Sequence, residues 1–452
     1  MKIIIVGIGK AGMALTEQLA RNHDVTVVDT NHELITSVVN IHDVMGVCGN
    51  GGCYSVLDEA GAGTADLLIA TTSSDEINIL TCLVAKKIGV GHIIARIRNP
   101  EYEKQLRFMR DELGLSMIIN PEKVTAREIA RILRFPNAVK LESFSKGRLE
   151  LVEFRIGTGS SLNGMPLTSL YRSLRARVLI CVVDRAGETI IPSGDTVLQT
   201  GDRIYLTAAA HELEQFFRHL GIFKGKAQTV MIIGASKMCY YLANELISMG
   251  MAVKIVDRDE RKCREMGERL KKAMVIKGDG TDNELLREEG LGDTDAFVAI
   301  TSMDEANILM AMSAARSGAC KVVAKINRRS LVDLVSDEHM IDSIVSAGSV
   351  TAELIVQYIR AMQNASGSHV KTLHRIANGK AEALEFGVTK DMPLIGIPLA
   401  ELPLKTKILI AGIVRHNGEI IIPSGRDVLR EGDDVIIVTT RTSLHDLKDI
   451  LE

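Results

Sequence analysis

The chain repeats itself once, and this duplication limits what it can fold into. The offset is 228 residues from Asp29 to Asp257 and 231 residues from Ile191 to Ile422. A repeat of that length is far longer than one supersecondary unit, so each copy can bury a hydrophobic core of its own. We therefore expect two copies of one module. The matching segments are Val28-Asp29 with Val256-Asp257, Gly49-Asn50-Gly51 with Gly278-Asp279-Gly280, Thr72–Asn78 with Thr301–Asn307, Ala95-Arg96-Ile97 with Ala324-Lys325-Ile326, and Ile191–Gly194 with Ile422–Gly425.

The first copy opens on a short β-branched run that ends in the glycine turn Gly7-Ile8-Gly9-Lys10-Ala11-Gly12. In a strand–turn–helix of this type, the first glycine permits the turn and the second lets the backbone approach a pyrophosphate. The third lets the helix pack closely on the strand, and the free N–H groups at the helix start favour a phosphate. A second strand ends at Asp29, where a carboxylate can bind a ribose hydroxyl. This context predicts a nucleotide site, and a glycine turn that serves packing alone is the alternative.

Predicted strands and helices alternate with short links through the rest of the first copy, including a helix over 100–113. This order is typical of a doubly wound parallel sheet. From residue 150 the pattern changes to period-two alternation with hairpin-like turns, which predicts a small, β-rich α+β unit. The fold class is therefore α/β, with a duplicated module in which a Rossmann-like sheet precedes a small α+β subdomain. The predicted parts are 1–136 and 225–363 for the Rossmann-like subdomains, and 137–224 and 364–452 for the small subdomains.

The second glycine turn departs from the pattern of the first. The segment Gly234-Ala235-Ser236-Lys237-Met238-Cys239 keeps only the first glycine, although the carboxylate Asp257 is retained. Ser236 adds a side chain where the backbone should touch pyrophosphate, and Cys239 crowds the helix against the strand. Two interpretations remain open: the second copy binds a nucleotide in a different way, or it is structural.

A cation ends the fifth strand of each copy, Arg96 in the first and Lys325 in the second. Ligands of open α/β sheets bind at the carboxyl edge, where these side chains are expected to lie. Contact with a ligand phosphate and a surface salt bridge are the two interpretations of each cation.

Composition excludes several classes of function. The net charge is −3 at pH 7, there is no tryptophan, and aromatic residues make up 4%, so a nucleic-acid surface is not expected. No apolar run reaches the length of a membrane span, and the N-terminus does not resemble a signal peptide. Seven dispersed cysteines without a C-x-x-C pair are typical of reduced thiols in the cytoplasm.

The sequence contains no nucleophile elbow, no H-E-x-x-H and no P-loop, and its 11 histidines are scattered singly. No histidine recurs in a shared motif of the two small subdomains, where a dehydrogenase would place its acid or base. We therefore expect a nucleotide that is bound and not turned over, with no catalytic residues and no metal site. An NAD(P)-dependent oxidoreductase is the alternative.

Together these motifs resemble RCK modules, the regulators of potassium conductance. Two such modules in tandem resemble the regulatory subunits of Trk potassium uptake systems, and the resemblance covers nearly the whole chain. It implies NAD or NADH as ligand, often with adenine nucleotides such as ATP or ADP. It also implies a ring of RCK modules built from four chains, at the cytoplasmic face of a Trk-type potassium-translocating membrane subunit.

The resemblance also implies the binding residues. The first set is Gly7, Ile8, Gly9, Lys10, Ala11 and Gly12 for the phosphates, Asp29 for ribose, Asn50, Thr71 and Thr72 around the adenosine, and Arg96 for a phosphate. The second set is Gly234, Ala235, Ser236, Lys237, Met238, Asp257, Asp279, Thr301 and Lys325, and the glycines lost at Ser236 and Cys239 leave it less certain.

Overall fold

The fold was analysed in a computed structural model of the full chain. The structure describes residues 1–99, 101–102, 105, 113–134, 140–145, 148–174, 176–221, 227–335, 341–364, 370–390, 392–441, 444 and 446–452. The helix predicted over 100–113 falls largely outside these residues, as do the predicted boundaries near 136 and 224. Within the described part of the chain, no helix is both long and apolar enough to cross a bilayer.

The first copy opens with a six-stranded parallel sheet in the order β3-β2-β1-β4-β5-β6, as the sequence predicted. Strands β1 and β4 are buried along nearly their whole length, which explains their continuous apolar sequence. The strands are β1 (Lys2–Val6), β2 (Asp24–Asp29), β3 (Met45–Cys48), β4 (Leu67–Ala70), β5 (His92–Arg96) and β6 (Met117–Ile119). The helices are α1 (Lys10–Leu19), α2 (His32–Ile41), α3 (Tyr54–Glu59), α4 (Asp75–Ile88) and α5 (Pro121–Arg134).

A five-stranded antiparallel sheet follows, in the order β10-β9-β11-β8-β7, with two helices. Its core lies between the sheet and these helices. The strands are β7 (Lys140–Phe144), β8 (Leu149–Arg155), β9 (Leu179–Arg185), β10 (Glu188–Ile190) and β11 (Arg203–Ala209), and the helices are α6 (Leu167–Leu174) and α7 (Ala210–His219).

The second copy repeats the parallel sheet in the order β14-β13-β12-β15-β16-β17, strand for strand. The strands are β12 (Thr229–Ile233), β13 (Ala252–Asp257), β14 (Met274–Lys277), β15 (Ala296–Ala299), β16 (Lys321–Lys325) and β17 (Ser343–Val345). The helices are α8 (Lys237–Ser248), α9 (Glu260–Arg269), α10 (Asn283–Glu288), α11 (Asp304–Arg316), α12 (Arg329–Val335) and α13 (Ala347–Asn364).

A second antiparallel sheet, in the order β18-β19-β22-β20-β21, completes the chain. Its strands are β18 (Val370–Ile376), β19 (Ala381–Gly387), β20 (Ile408–Val414), β21 (Ile420–Ile421) and β22 (Asp434–Thr439). The predicted duplication of a Rossmann-like sheet and a small α+β subdomain is therefore confirmed.

Like subdomains associate with like, which the sequence did not predict. The Rossmann unit consists of 1–130 and 228–356, and the small-subdomain unit consists of 131–227 and 357–452. Each parallel sheet has its own core. The two antiparallel sheets also have their own cores, but they share a further apolar cluster between them that includes Leu151, Tyr205 and Ile436.

The repeated Gly-Asp motif of the small subdomains pins a loop to a strand end. Asp202 is 1% exposed and accepts hydrogen bonds from the Arg185 guanidinium at 2.7 and 2.8 Å. Arg185 also donates to the carbonyl oxygen of Val197. Asp433 and Arg415 form the same pair in the second copy. These paired, hydrogen-bonded charges account for the recurrence of the motif in structural terms.

The first glycine turn is too tight for a side chain at its third glycine. Gly7 adopts φ +92°, and its carbonyl oxygen accepts a 2.8 Å hydrogen bond from the Thr71 hydroxyl. A Cβ atom on Gly12 would lie 2.0 Å from that carbonyl oxygen. The second copy has Cys239 at the position of Gly12 and Ile300 at the position of Thr71, so both partners of this contact change together.

We predict that Gly12→Ala destabilises the protein by about 1–3 kcal/mol, because its methyl group has no room against the Gly7 carbonyl. Gly267→Ala, in helix α9, is the matched control, since nothing lies within 4 Å of a Cβ atom there. That control should gain up to about 1 kcal/mol from helix propensity. Denaturant unfolding midpoints of both variants test this, and equal shifts would contradict the steric argument.

Candidate functional site

A cavity of about 760 Å3 in the Rossmann unit is lined by residues of both Rossmann-like subdomains. It lies at the carboxyl edge of the first parallel sheet, where open α/β folds bind ligands. The structure brings most of the first predicted set together here, with part of the second. The lining includes Gly7, Gly9, Lys10, Ala11, Asp29, Asn50, Thr71, Thr72 and Arg96, and from the second set Ser236, Lys237, Met238 and Lys325.

The other predicted residues are not among those that line the cavity. Ile8 and Gly12 are buried within the first turn, where they shape the backbone. Most of those left out belong to the second set, so the two copies contribute unequally. They are Gly234, Ala235, Asp257, Asp279 and Thr301.

The two helix starts differ in the hydrogen-bond donors that they leave open. Gly9 precedes α1 without a side-chain cap, and nothing lies within 4 Å of where its Cβ atom would be. Ser236 precedes α8, and its hydroxyl accepts a 3.3 Å hydrogen bond from the backbone N–H of Cys239. A capped helix has one orphan N–H fewer to offer an anion. The first turn is therefore the better phosphate cradle of the two.

The carboxylates at the ends of β2 and β13 are held in the same way. Asp29 accepts from the backbone N–H of Ile8 at 2.7 Å and from that of Asn31 at 2.9 Å. Asp257 accepts from Ala235 and Asp259 at the same two distances. Each carboxylate oxygen keeps a lone pair, so both groups can still accept a ribose hydroxyl.

Sequence reasoning did not assign a role to Asn78, which fastens the cavity edge. This buried amide accepts from the Thr72 N–H at 2.8 Å and the Thr72 hydroxyl at 2.7 Å, and donates to the Arg96 carbonyl at 2.9 Å. Asn307 makes the corresponding bonds to Thr301 and Lys325. The signal was present, since both asparagines close the repeated Thr-Ser-x-Asp-Glu-x-Asn motif. Each amide ties the end of one strand to the end of the next.

An aspartate of the same motif fixes the loop after the fifth strand. Asp75 accepts from the backbone N–H groups of Arg98 and Asn99 at 3.0 and 2.8 Å. Asp304 does the same with Asn327 and Arg328. Burial acts to raise the pKa of Asp304, but these backbone donors outweigh it and lower the pKa below the usual value.

Arg96 reaches the cavity with its guanidinium only partly used. Its Nη1 donates to the Thr71 carbonyl at 3.2 Å, while its buried Nε–H has no acceptor among the described residues. Burial lowers the pKa of Arg96, the neighbouring Arg98 lowers it further, and Glu122 opposes this. A desolvated cation with an unused donor is stabilised by an anion.

Lys325 occupies the equivalent place in the second copy. Its ammonium lies 3.4 Å from the Ile300 carbonyl oxygen, and burial lowers its pKa, although Asp304 acts in the opposite direction. Among the described residues, no carboxylate lies within 4.0 Å of the charged nitrogens of either Arg96 or Lys325.

The chain matches two family models, each of them twice. The TrkA-N domain model matches residues 3–121 and 230–347, and the TrkA-C domain model matches residues 151–221 and 383–452. The matches alternate along the chain in the order of the two modules.

Solved structures of similar fold include potassium-channel proteins with RCK domains. The GsuK channel bound to NAD has a TM-score of 0.62 and 21% sequence identity, covering 97% of this chain and 76% of the channel chain. GsuK bound to ADP has a TM-score of 0.51 and 17% identity, covering 80% of this chain and 69% of the other. At these identities the likeness shows a shared fold.

Full-length relatives are more similar in sequence. The Trk system potassium uptake protein TrkA homolog of Archaeoglobus fulgidus is 32% identical over 451 residues, covering 100% of both chains. The Trk system potassium uptake protein TrkA of Vibrio alginolyticus is 32% identical over 442 residues, covering 97% of this chain and 95% of its own. With both domain models matched in tandem, the chain belongs to the TrkA family of Trk system potassium uptake proteins.

Proposed function

We propose that this chain is the nucleotide-sensing regulatory subunit of a Trk-type potassium uptake system. It binds NAD or NADH in the cavity of the Rossmann unit without converting it, and the bound ligand controls a potassium-translocating membrane subunit. The observation that carries the proposal is Arg96, a buried guanidinium at the ligand edge with a donor that no described residue accepts.

The residues present fit a dinucleotide. The uncapped start of α1 and the side chain of Arg96 supply donors for a diphosphate, and Asp29 supplies an acceptor for ribose. NAD and ADP are both bound by GsuK proteins of the same fold, which supports NAD(H) as ligand and adenine nucleotides as competitors. The names of the curated relatives support potassium uptake as the process.

Binding without turnover is supported by the chemistry of the cavity. The lining offers lysines, arginines, two carboxylates and hydroxyls, while histidine, cysteine and tyrosine do not occur among the described residues that line it. Hydride transfer to a carbonyl substrate needs an acid or base beside the nicotinamide. The oxidoreductase alternative has no observation in its favour.

Regulation then follows from a shift between conformations. The cavity is lined by both Rossmann-like subdomains, so a ligand there contacts both halves of the unit. A ligand that binds one arrangement of the halves more tightly favours that arrangement, and one that binds all arrangements equally has no effect. In the proposed assembly, four chains form a ring of eight modules at the cytoplasmic face of the membrane, held there by the transporter.

The assembly predicts a homo-oligomer that forms without detergent. Light scattering of the purified protein, with and without NADH, should give a mass well above that of the 49.2 kDa chain. A monomer at every concentration and with every ligand would contradict the ring.

The first site should bind the dinucleotide more tightly than the second. Asp29→Ala removes hydrogen bonds to ribose and should weaken NADH binding by about 1–3 kcal/mol. Asp257→Ala is the matched control, because Asp257 holds its own turn through the same two backbone bonds. Calorimetry that finds the larger loss for Asp257→Ala would reverse the assignment.

Gly9→Asp should abolish nucleotide-dependent potassium uptake in a folded protein. A side chain at Gly9 meets no atom within 4 Å, so it enters the cavity and places a carboxylate where the diphosphate is expected. The measurement is potassium or rubidium uptake by cells that carry the variant, beside its oligomer size and NADH affinity. Normal ligand-regulated uptake by a variant that binds no nucleotide would contradict the proposed function.

A further inference from the structure

Glu122 is the one carboxylate besides Asp29 among the described residues that line the cavity. It is the second residue of α5, the helix that follows β6. Its Oε1 lies 4.0 Å from Nη1 of Arg98, and its Oε2 is buried without a hydrogen-bond partner among the described residues. The cavity therefore contains an unused anionic acceptor close to the cations that favour phosphate.

The strand order places Glu122 at the far end of a bound nucleotide. Ligand contacts are proposed at β2 for ribose, at the turn after β1 for the diphosphate, and at β5 through Arg96. Glu122 follows β6, the edge strand on that side. Adjacent strands lie about 4.8 Å apart, so Glu122 lies roughly 19 Å along the edge from the ribose carboxylate. It faces whatever the ligand carries beyond its diphosphate.

The two candidate ligand classes differ at that end. Beyond its diphosphate, NADH carries a second ribose and a carboxamide, which offer O–H and N–H donors to an unpartnered carboxylate oxygen. ATP carries a third, anionic phosphate, which cannot donate to Glu122 and is repelled by it. Arg96 and Arg98 attract phosphate in both cases, so Glu122 is the group that discriminates.

The second copy offers no equivalent group. The residue at the same place in α13 is Gly348, and a Cβ atom there would lie 3.2 Å from the Lys10 carbonyl oxygen and 3.6 Å from the Cβ atom of Ala14. The start of α13 packs too closely on α1 to leave space for a side chain. The acceptor thus belongs to one half of the cavity, and its effect is specific to the first site.

We propose that Glu122 determines ligand specificity, favouring a dinucleotide over a nucleoside triphosphate in this cavity. This inference rests on the proposed function, because it requires that the cavity bind nucleotides. Glu122 accepts a hydrogen bond from the distal nucleoside of NADH and repels the terminal phosphate of ATP.

The test compares Glu122→Gln with the unaltered full-length protein by calorimetric titration of NADH, ADP and ATP. The titrations contain EDTA, since a divalent cation bound to the phosphates would mask the repulsion. Glutamine keeps an acceptor oxygen and removes the charge. ATP affinity should therefore rise about tenfold, ADP affinity should rise less, and NADH affinity should change by less than about twofold.

Two further variants serve as controls. Glu122→Asp keeps the negative charge, so it should still disfavour ATP. Glu59→Gln makes the same change in net charge at an exposed residue of α3 outside the cavity lining, and it should leave all three affinities unchanged.

The outcomes separate this inference from the proposed function. A protein that binds none of the three nucleotides overturns both. A protein that binds them, but whose ATP-to-NADH preference is unchanged in Glu122→Gln, overturns the role of Glu122 alone. Equal gains for all three ligands would likewise show a general charge effect and overturn it.

Discussion

The cavity edge of each parallel sheet depends on one buried amide. Asn78 spends its acceptor on Thr72 and its donors on the Thr72 and Arg96 carbonyls, so the ends of β4 and β5 cannot separate. A buried amide of this kind is stable only when every donor and acceptor is used. It leaves the Arg96 backbone fixed while the guanidinium remains available to a ligand. Rigid support of a chemically unsatisfied side chain is what a binding site requires.

The divergence of the two copies follows from local packing. In the first copy, the Thr71 hydroxyl binds the Gly7 carbonyl, and Gly12 leaves room for that carbonyl. In the second, Ile300 has no hydroxyl to offer and Cys239 occupies the helix position, while Ser236 caps the helix in place of a ligand. The loss of glycines is thus accompanied by changes that satisfy the backbone internally. A turn that needs no anion has less reason to bind one.

Much of the fold could be predicted from the sequence, because buried parallel strands and glycine turns leave strong local patterns. The glycines of the first turn, Asp29 and the duplication predicted both sheets and the cavity edge. The pairing of like subdomains could not be predicted, since it depends on apolar residues such as Tyr205 and Ile436 that also fit an ordinary core. Glu122 was also missed, because a glutamate in the first turn of a helix is common for reasons of helix electrostatics alone.

The association of like subdomains has a consequence for a duplicated chain. If each copy had folded as a separate module, its ligand site would have been built from its own residues alone. Here one cavity takes Lys10 and Arg96 from the first copy and Lys237 and Lys325 from the second. Because both halves are encoded in one chain, they can change independently, which two identical subunits cannot do. A carboxylate at one helix start and a glycine at the other give the cavity two different ends, and a ligand with two different ends can then bind in a single orientation.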